Sequence, residues 1–417
     1  MKPFTKYLLA VVLLLVCARG YISYVAWQKN KQPDFACEFD KGDLKRIASL
    51  ARRQLDVNDE TNAMCNNTEA RELGKKIFFD ERFSKNSDMS CATCHQPDQH
   101  WTSLQPQLKR DVPSLWNTAH NRWFFWDGRA DSLWSQAAGP LESAAEQDGS
   151  RTQFAKIIYA DKAYRFAYEK LFGAMPDVSD EQLFPERAKP SGEDAAAERK
   201  WKNMRESDRL LINRIFVNIC KCIAAFEQSI SSGKTRFDLF AEGISEKNQQ
   251  KVNNLSAAEQ RGLKIFIGKG ECTLCHSGSN FSDREFHFIH LPLATGEKLE
   301  EARLAGAKEL FDNPFNALGK YSDDTKGQRA DNLTFLKIDP ESIGHYKTPS
   351  LRNVAHTAPY MHDGQFKTLR QVIDFYSEMK GANENQPHLE RVLRPLNLSE
   401  REKDDLEAFL RALSDSE

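Results

Sequence analysis

The sequence predicts an all-α fold built from two related halves, and three observations support that prediction. The motif Cys-x-x-Cys-His occurs twice, at Cys91–His95 and again at Cys272–His276. Pro113-Ser114-Leu115 recurs as Pro349-Ser350-Leu351, an offset of 236 positions (349 minus 113), and residues downstream recur at the same offset. Apolar residues recur at helical spacing along much of the chain, and the alternation typical of strands is scarce. A duplicated helical fold explains all three observations.

The Cys-x-x-Cys-His motif is typical of covalent attachment of a c-type heme. The two thiols add to the vinyl groups of the porphyrin, and the adjacent imidazole reaches the iron as its proximal ligand. A redox-active disulfide or half of a zinc site would use the cysteines but leave both histidines unexplained. We therefore expect two tandem cytochrome c-like domains, each with one covalently bound heme c. The residues expected to hold the two hemes are Cys91, Cys94, His95, Cys272, Cys275 and His276.

The composition restricts the function classes. The formal net charge of the 417 residues is −2, so no nucleic-acid partner is expected. Of the nine cysteines, four belong to the heme motifs. Cys37 and Cys65 would form a disulfide in an oxidising compartment or remain two separate thiols, and the sequence leaves both open. Cys220 and Cys222 lie two apart on a predicted helix, which favours two buried thiols.

The N-terminus carries a targeting or anchoring segment over residues 1–27. Two lysines precede the apolar run Tyr7–Cys17, small residues follow, and Tyr21–Trp27 is apolar again. The pattern fits a cleaved signal peptide and also an N-terminal membrane anchor, and either would place the rest of the protein in the periplasm. The remainder is divided into a lead-in segment at 28–66, a first domain at 67–208 and a second domain at 209–417.

Several helices are predicted with defined starts. Helical spacing favours helices over about Glu69–Phe79 and Leu210–Ile230. Capping boxes at Ser256 and Ser399 predict two further helix starts. The segments predicted as a surface insertion or linker and as a long irregular insertion are 176–208 and 284–345.

The repeat identifies a candidate sixth ligand for one heme. The helix predicted after Thr368 carries apolar residues and Tyr376 on one face, and by spacing alone Tyr376 is more often a core aromatic than a ligand. Moved back by 236 positions, Tyr376 falls on Pro140, whose side chain cannot bind iron. If this helix position faces the iron, the second heme has a phenolate ligand and the first has an open face. Met379, three residues later, is the alternative ligand.

Five longer segments of the chain carry a further sequence pattern. They are Ser90–His95, Phe125–Ala130, Gln136–Leu141, Thr348–Ala355 and Thr357–Gly364. With the second heme motif, they resemble the bacterial diheme cytochrome c peroxidases, including the MauG branch, over about residues 67–413. The resemblance implies that the first domain holds a peroxide-binding heme and the second domain an electron-transfer heme.

The resemblance also implies roles for individual residues. Gln136 and Glu146 match the distal polar pair over the open heme, and Pro140 matches the distal proline. Trp126 matches a tryptophan that lies between the two hemes. The MauG branch is similar to this chain in having tyrosine, here Tyr376, where peroxidases fed by cytochrome c have methionine.

Two positions depart from the family pattern. No histidine occupies the expected place of a removable distal ligand, since His100 is too close to the motif at 91–95, so the first heme is expected to be open without reductive activation. The family also holds a calcium ion between its domains, and Asp111 stands where asparagine is usual. A carboxylate is a good calcium ligand, so Asp111 and a backbone carbonyl at Pro349 are the candidate calcium ligands.

We therefore expect an oxidoreductase that reduces hydrogen peroxide at the open first heme and shares the oxidising equivalents through the second. The final donor would be a small redox protein, or a tryptophan or tyrosine of a partner protein that is thereby modified. Two alternatives stay open. One is a peroxidase that takes electrons from a soluble cytochrome c, and the other is a diheme electron carrier without enzymatic activity.

Overall fold

A computed structural model describes residues 33–52, 58–105, 108–293, 297–383 and 393–415. The predicted targeting segment, with Cys17, lies outside these ranges. None of the helices within them is both long and apolar enough to cross a membrane. The strands β1 (Phe286–His287) and β2 (Tyr346–Lys347) pair antiparallel. The helices are α1 (Lys41–Leu50), α2 (Thr68–Phe78), α3 (Cys91–Cys94), α4 (Leu133–Glu142), α5 (Arg151–Ala160), α6 (Lys162–Phe172), α7 (Ala195–Asn203), α8 (Glu206–Glu227), α9 (Arg236–Glu246), α10 (Gln249–Val252), α11 (Ala257–Ile267), α12 (Arg303–Asp312), α13 (Gln328–Thr334), α14 (Leu369–Glu378) and α15 (Glu400–Arg411).

The predicted all-α class is confirmed, and two main hydrophobic cores form, one beside each heme motif. In the first core α2 packs across α8 at Gly74, where an added Cβ would stand 1.8 Å from the carbonyl oxygen of Cys222. In the second core α11 packs across α15 at Gly262, where an added Cβ would stand 1.9 Å from the carbonyl oxygen of Asp405. Glycine is required at both crossings because any side chain would push the helices apart.

The repeat is visible in the backbone as well as in the sequence. Helix α14 begins and ends 236 positions after α4 (369 minus 133, and 378 minus 142). Asn117 and Asn353 both adopt the left-handed conformation, with φ of 59° and 61°. Gly128 and Gly364 do the same, with φ of 71° and 68°. The two halves therefore share a local geometry and can be compared position by position.

The first core extends beyond the predicted domain boundary at 208–209. The buried face of α8 and the following Ile230 belong to the first core, and the second core takes up the chain from Phe237. The reason is the crossing at Gly74, which packs α8 against the first helix of the N-terminal half. We therefore propose that the division between the two domains falls after Ile230.

Segments predicted as peripheral also contribute to the cores. The stretch 176–208 is exposed over much of its length, as expected of a surface insertion, but Val178 and Phe184 are buried in the first core and attach the stretch to it. The insertion at 284–345 contains β1, α12 and α13, and it adds Phe315 to the same core. The lead-in segment contains α1, which packs in the second core.

Outside the heme motifs, the cysteines that the structure describes are thiols. Cys37 and Cys65 are separate, and their Sγ atoms approach the carbonyl oxygen of Gln260 and Oδ1 of Asn58, each at 3.5 Å. Cys220 and Cys222 are buried thiols within α8, as predicted.

Candidate active site and heme sites

The first Cys-x-x-Cys-His motif borders a cavity. Its cysteines form the short helix α3, which begins with reciprocal hydrogen bonds between Ser90 and Thr93. The two thiols are not bonded to each other. The space beside them measures about 450 Å³ and is partly open to solvent. Its lining includes Cys91, Cys94, His95, Gln136, Pro140 and Glu146.

The imidazole of His95 is prepared for metal binding. Its Nδ1 lies 3.1 Å from the carbonyl oxygen of Trp101, which orients the ring and leaves Nε2 available. Burial lowers the pKa of His95 to about 4, and the Trp101 carbonyl opposes this shift only in part. The ring is therefore neutral at pH 7, the form that binds metals. Two unpaired thiols and a neutral, oriented imidazole beside this cavity fit a covalently bound heme.

The polar side chains predicted over the first heme reach the same cavity. Gln136 and Pro140 lie one turn apart on α4. After the helix the N–H of Gln147 donates to the carbonyl of Pro140 at 3.2 Å, and this turn brings Glu146 to the cavity. Burial raises the pKa of Glu146, although the nearby cation of Arg129 lowers it. Glu146 can therefore hold a proton at a higher pH than an exposed carboxylate can.

A second carboxyl group, Glu227, lines this cavity and was not identified from the sequence. It ends α8, is 4% exposed, and its Oε2 has no hydrogen-bond partner among the described residues. Burial raises the pKa of Glu227 to about 8, so the group is protonated at neutral pH. The signal that could have found it is a lone acidic residue that continues the buried apolar run Ile223–Phe226.

The second Cys-x-x-Cys-His motif has the same local geometry. Nδ1 of His276 lies 2.9 Å from the carbonyl oxygen of Phe281, so Nε2 is again available. Burial lowers the pKa of His276, and the carbonyl groups of Phe281 and Pro349 are among the groups that oppose the shift. Pro349 therefore lies beside the proximal histidine of the second motif.

Tyr376 lies beside the same motif. It occupies the position in α14 that Pro140 occupies in α4. Burial raises the pKa of its phenol, and the nearby Cys275 and Cys272 raise it further. Met379, the alternative ligand, is the residue directly after α14 and has a left-handed backbone with φ of 49°. The structure thus brings Tyr376 to the two thiols of the second motif.

Cys275 also belongs to a group of candidate metal ligands. Cys275, Asp283 and His287 each place one ligand atom within 4.8 Å of the others. Asp283 and His287 are hydrogen-bonded at 2.7 Å. Heme attachment would convert the Cys275 thiol to a thioether and would leave Asp283 and His287 as neighbours of the heme.

Trp126 joins the two halves of the molecule. Its indole Nε1 donates to the carbonyl of Asp111 at 2.9 Å, and its own carbonyl accepts from the N–H of Lys347 at 2.8 Å. Its ring makes an edge contact with that of His362, with the ring centroids 6.5 Å apart. Lys347 and His362 belong to the second half, so Trp126 lies where the halves meet.

Asp111 is a half-buried carboxylate beside a loop of the second half. Its N–H donates to the carbonyl of His362 at 2.9 Å, and an added Cβ at Gly364 would stand 3.7 Å from its Oδ1. Burial raises the pKa of Asp111 to about 7, and Asp363 adds to the shift. Pro349, the other predicted calcium ligand, lies beside the second heme motif. Asp111 therefore lies beside the loop around Gly364, whereas Pro349 lies beside His276.

His100 contacts the second half of the chain. Its ring stacks on that of His356, with centroids 4.2 Å apart and 15° between the planes. Its backbone is left-handed with φ of 57°, and its carbonyl accepts a hydrogen bond from Oγ of Ser114 at 2.7 Å. These contacts engage His100 at the meeting point of the two halves.

Comparison with known proteins gives a consistent result. The family described as "Di-haem cytochrome c peroxidase" matches residues 68–246. The chain is 30% identical over 350 residues to methylamine utilization protein MauG of Methylorubrum extorquens, covering 82% of this chain and 77% of that protein. It is 28% identical over 366 residues to cytochrome-c peroxidase IdrP1 of Pseudomonas sp. (strain SCT), covering 83% of this chain and 80% of that protein. A solved MauG-like protein associated with microbial copper homeostasis superposes with a TM-score of 0.58 at 25% identity, covering 87% of this chain and 95% of that chain.

Proposed function

This chain belongs to the di-haem cytochrome c peroxidase family, and we propose that it reduces hydrogen peroxide at its first heme site and shares the oxidising equivalents with its second. One observation carries the proposal. At equivalent helix positions, Pro140 lines the first cavity and Tyr376 lies beside the second motif. Because proline cannot bind iron, Pro140 would leave a heme bound at the first site open to the oxidant, whereas Tyr376 would offer its phenol oxygen to a heme at the second.

The two heme c groups would be held by Cys91, Cys94, His95, Cys272, Cys275 and His276. Each bound heme supplies an iron that binds ligands and changes its oxidation state. The carbonyl groups of Trp101 and Phe281 orient the two imidazoles and leave each Nε2 free for the metal.

Glu146 is proposed as the group that moves a proton while the peroxide bond breaks. Its carboxylate accepts the proton of one peroxide oxygen and delivers it to the other, which leaves as water. The amide nitrogen of Gln136 lines the same cavity and can donate a hydrogen bond that orients the peroxide. The burial that raises the pKa of Glu146 makes it a better base. General acid–base catalysis of this kind typically accelerates a reaction by about 10²–10⁴-fold.

Trp126 is proposed as the electron path between the two sites, a role that its contacts with both halves support. At the second site, burial keeps the phenol of Tyr376 protonated until a bound cation offsets the shift. An anionic phenolate then stabilises an oxidised metal, whereas methionine favours a reduced one. This difference favours a MauG-like activity, in which the final donor is a small redox protein or a Trp or Tyr side chain of a partner protein.

A calcium ion and a periplasmic location complete the proposal. Asp111 would supply a carboxylate to calcium between the halves, because a cation would offset the burial that raises its pKa to about 7. A backbone carbonyl at Pro349 would supply a further oxygen, and the loop around Gly364 lies beside Asp111. Covalent heme attachment and the N-terminal segment support a periplasmic protein, either free after cleavage or anchored.

Stopped-flow absorption of the holoprotein after addition of hydrogen peroxide tests the proposal. We expect a rapid change in heme absorption, and we expect Glu146→Gln to slow it by about 10²–10⁴-fold. Glu193→Gln, which changes an exposed carboxylate, is the control and should react as the native protein does.

Each outcome discriminates between functions. If Glu146→Gln reacts at the native rate, Glu146 has no part in the mechanism. If the heme absorption of the native protein does not change when peroxide is added, the peroxidase proposal is overturned. Fast steady-state turnover with reduced cytochrome c would favour the cytochrome-fed alternative, whereas single turnovers that modify a partner residue favour the MauG-like activity. A diheme electron carrier would have two six-coordinate hemes at rest.

A further inference from the structure

A column of stacked side chains leads away from Trp126. His362 makes an edge contact with Trp126, with ring centroids 6.5 Å apart. Tyr346 stacks on the ring of His362, with centroids 3.6 Å apart and 14° between the planes. The guanidinium carbon of Arg110 lies 4.9 Å from the centre of the Tyr346 ring. We call Trp126, His362 and Tyr346 the aromatic column.

The column lies where equivalent positions of the two repeats meet. Trp126 and His362 are 236 positions apart (362 minus 126), and so are Arg110 and Tyr346 (346 minus 110). Contacts between equivalent positions are typical of two units related by a two-fold axis. The aromatic column therefore lies between the two repeats, and it is asymmetric because equivalent positions carry different residues.

The phenol hydroxyl of Tyr346 is hydrogen-bonded to a proton acceptor. Its hydroxyl donates to Oε2 of Glu300 at 2.9 Å, within the reach that proton transfer needs. Burial tends to raise the pKa of Glu300, but its bonds to Arg110, Lys109 and Tyr346 outweigh this and lower the pKa to about 2. Burial raises the pKa of Tyr346, so the resting pair is a neutral phenol and a carboxylate.

The charges around the column determine how Tyr346 can be oxidised. The cation of Arg110 over the ring disfavours a positively charged tyrosine, because the ring and the guanidinium would then repel each other. Loss of an electron must therefore be accompanied by loss of the phenolic proton, and Glu300 is hydrogen-bonded to receive it.

We propose that Tyr346 is a redox-active residue that carries oxidising equivalents away from Trp126, with Glu300 as its proton acceptor. The inference rests on the proposed function, because peroxide reduction at the heme sites supplies the oxidant. In the step, oxidised Trp126 gains one electron, Tyr346 loses one electron and becomes a neutral phenoxyl radical, and the phenolic proton moves to Oε2 of Glu300. When an external donor supplies an electron, the proton returns and the phenol is restored. The proton moves out and back across the same 2.9 Å hydrogen bond, so Tyr346 acts as a relay.

Tyr164 is a matched control within the same chain. Its hydroxyl donates to Oδ2 of Asp80 at 2.7 Å, and the guanidinium carbon of Arg82 lies 5.3 Å from the centre of its ring. It is 6% exposed and Tyr346 is 9% exposed. Tyr164 packs against Phe83 in the first core, whereas Tyr346 stacks on the aromatic column. Tyr164 and Tyr346 therefore have similar surroundings, and they differ in that only Tyr346 belongs to the aromatic column.

The experiment uses holoprotein labelled with ring-deuterated tyrosine, mixed with hydrogen peroxide without an electron donor and frozen within milliseconds. We expect an organic radical in the electron paramagnetic resonance spectrum that narrows on deuteration, disappears in Tyr346→Phe and persists in Tyr164→Phe. Glu300→Gln should slow its appearance by about 10²-fold or more. In the native protein, spin trapping followed by peptide mass spectrometry should place the adduct on Tyr346, a result that does not depend on the folding of a variant.

Heme absorption recorded in the same samples separates this inference from the proposed function. If the hemes respond to peroxide but the radical survives Tyr346→Phe, or the adduct maps to another residue, the relay is overturned and the peroxidase proposal remains. If the hemes do not respond, both are overturned.

Discussion

Replacing Glu227 by glutamine should stabilise the first domain at neutral pH. The carboxyl group is 4% exposed beside the first heme cavity, and burial raises its pKa from 4.5 to about 8. Between these values the folded protein keeps a proton that the unfolded chain releases, so the free energy of unfolding falls as pH rises. The contribution is fully present below pH 4.5 and is lost by about pH 8.

The size of this change in the free energy of unfolding follows from the interval between the unshifted pKa and the working pH. At about 1.4 kcal/mol per pKa unit, the native protein loses about 3 kcal/mol between pH 4.5 and pH 7 on account of Glu227. The Glu227→Gln variant has no proton to release and escapes this loss. It should therefore be about 3 kcal/mol more stable than the native protein at pH 7, and within about 1 kcal/mol of it at pH 5.

Guanidinium denaturation of the holoprotein, followed by far-ultraviolet circular dichroism at the two pH values, measures the difference. Glu193→Gln, at an exposed position, should change stability by less than about 0.5 kcal/mol at either pH. A Glu227→Gln variant whose stability relative to the native protein is the same at both pH values would refute the claim that burial keeps this carboxyl group protonated.

Three further predictions concern other parts of the molecule. Gly262→Ala should destabilise the second domain by about 1–3 kcal/mol or more in thermal denaturation, because the new Cβ meets a backbone carbonyl at 1.9 Å, whereas Gly192→Ala meets no described atom within 4 Å and should not. Tyr376→Phe should abolish the low-spin ferric signal of the second heme in electron paramagnetic resonance, and Met379→Leu should leave it; the reverse pattern would make methionine the ligand. Calcium binding measured by titration calorimetry should be about tenfold weaker at pH 6 than at pH 8, because the pKa of Asp111 is about 7 without the cation; Asp111→Asn should lose that dependence, and equal affinity at both pH values would contradict it.

The parts of the site that follow the repeat could be predicted from the sequence. Pro140 and Tyr376 pair at a constant offset, and a helix keeps its register, so the equivalence of their positions required no coordinates. Gly74 and Gly262 each begin a segment of similar sequence before a heme motif, although the helix crossings at them are seen only in the structure. These features depend on spacing along one helix or on one local comparison.

Features that depend on packing between distant segments could not be predicted. Glu227 looked like the polar end of an apolar helix, and its burial depends on how α8 crosses α2. The stack of Tyr346 on His362 depends on the way in which the two halves face each other, which the offset alone does not specify. The boundary at 208–209 stays a prediction, because charge and proline content mark a change in composition rather than the limit of a core.

The central claim is that two equivalent heme sites differ in a single coordination position. Electron paramagnetic resonance of the resting ferric holoprotein, recorded before and after addition of cyanide, tests it most directly. The account predicts one high-spin and one low-spin heme in equal amounts, with cyanide converting the high-spin signal alone. Two low-spin hemes whose signals are unchanged by cyanide would contradict it.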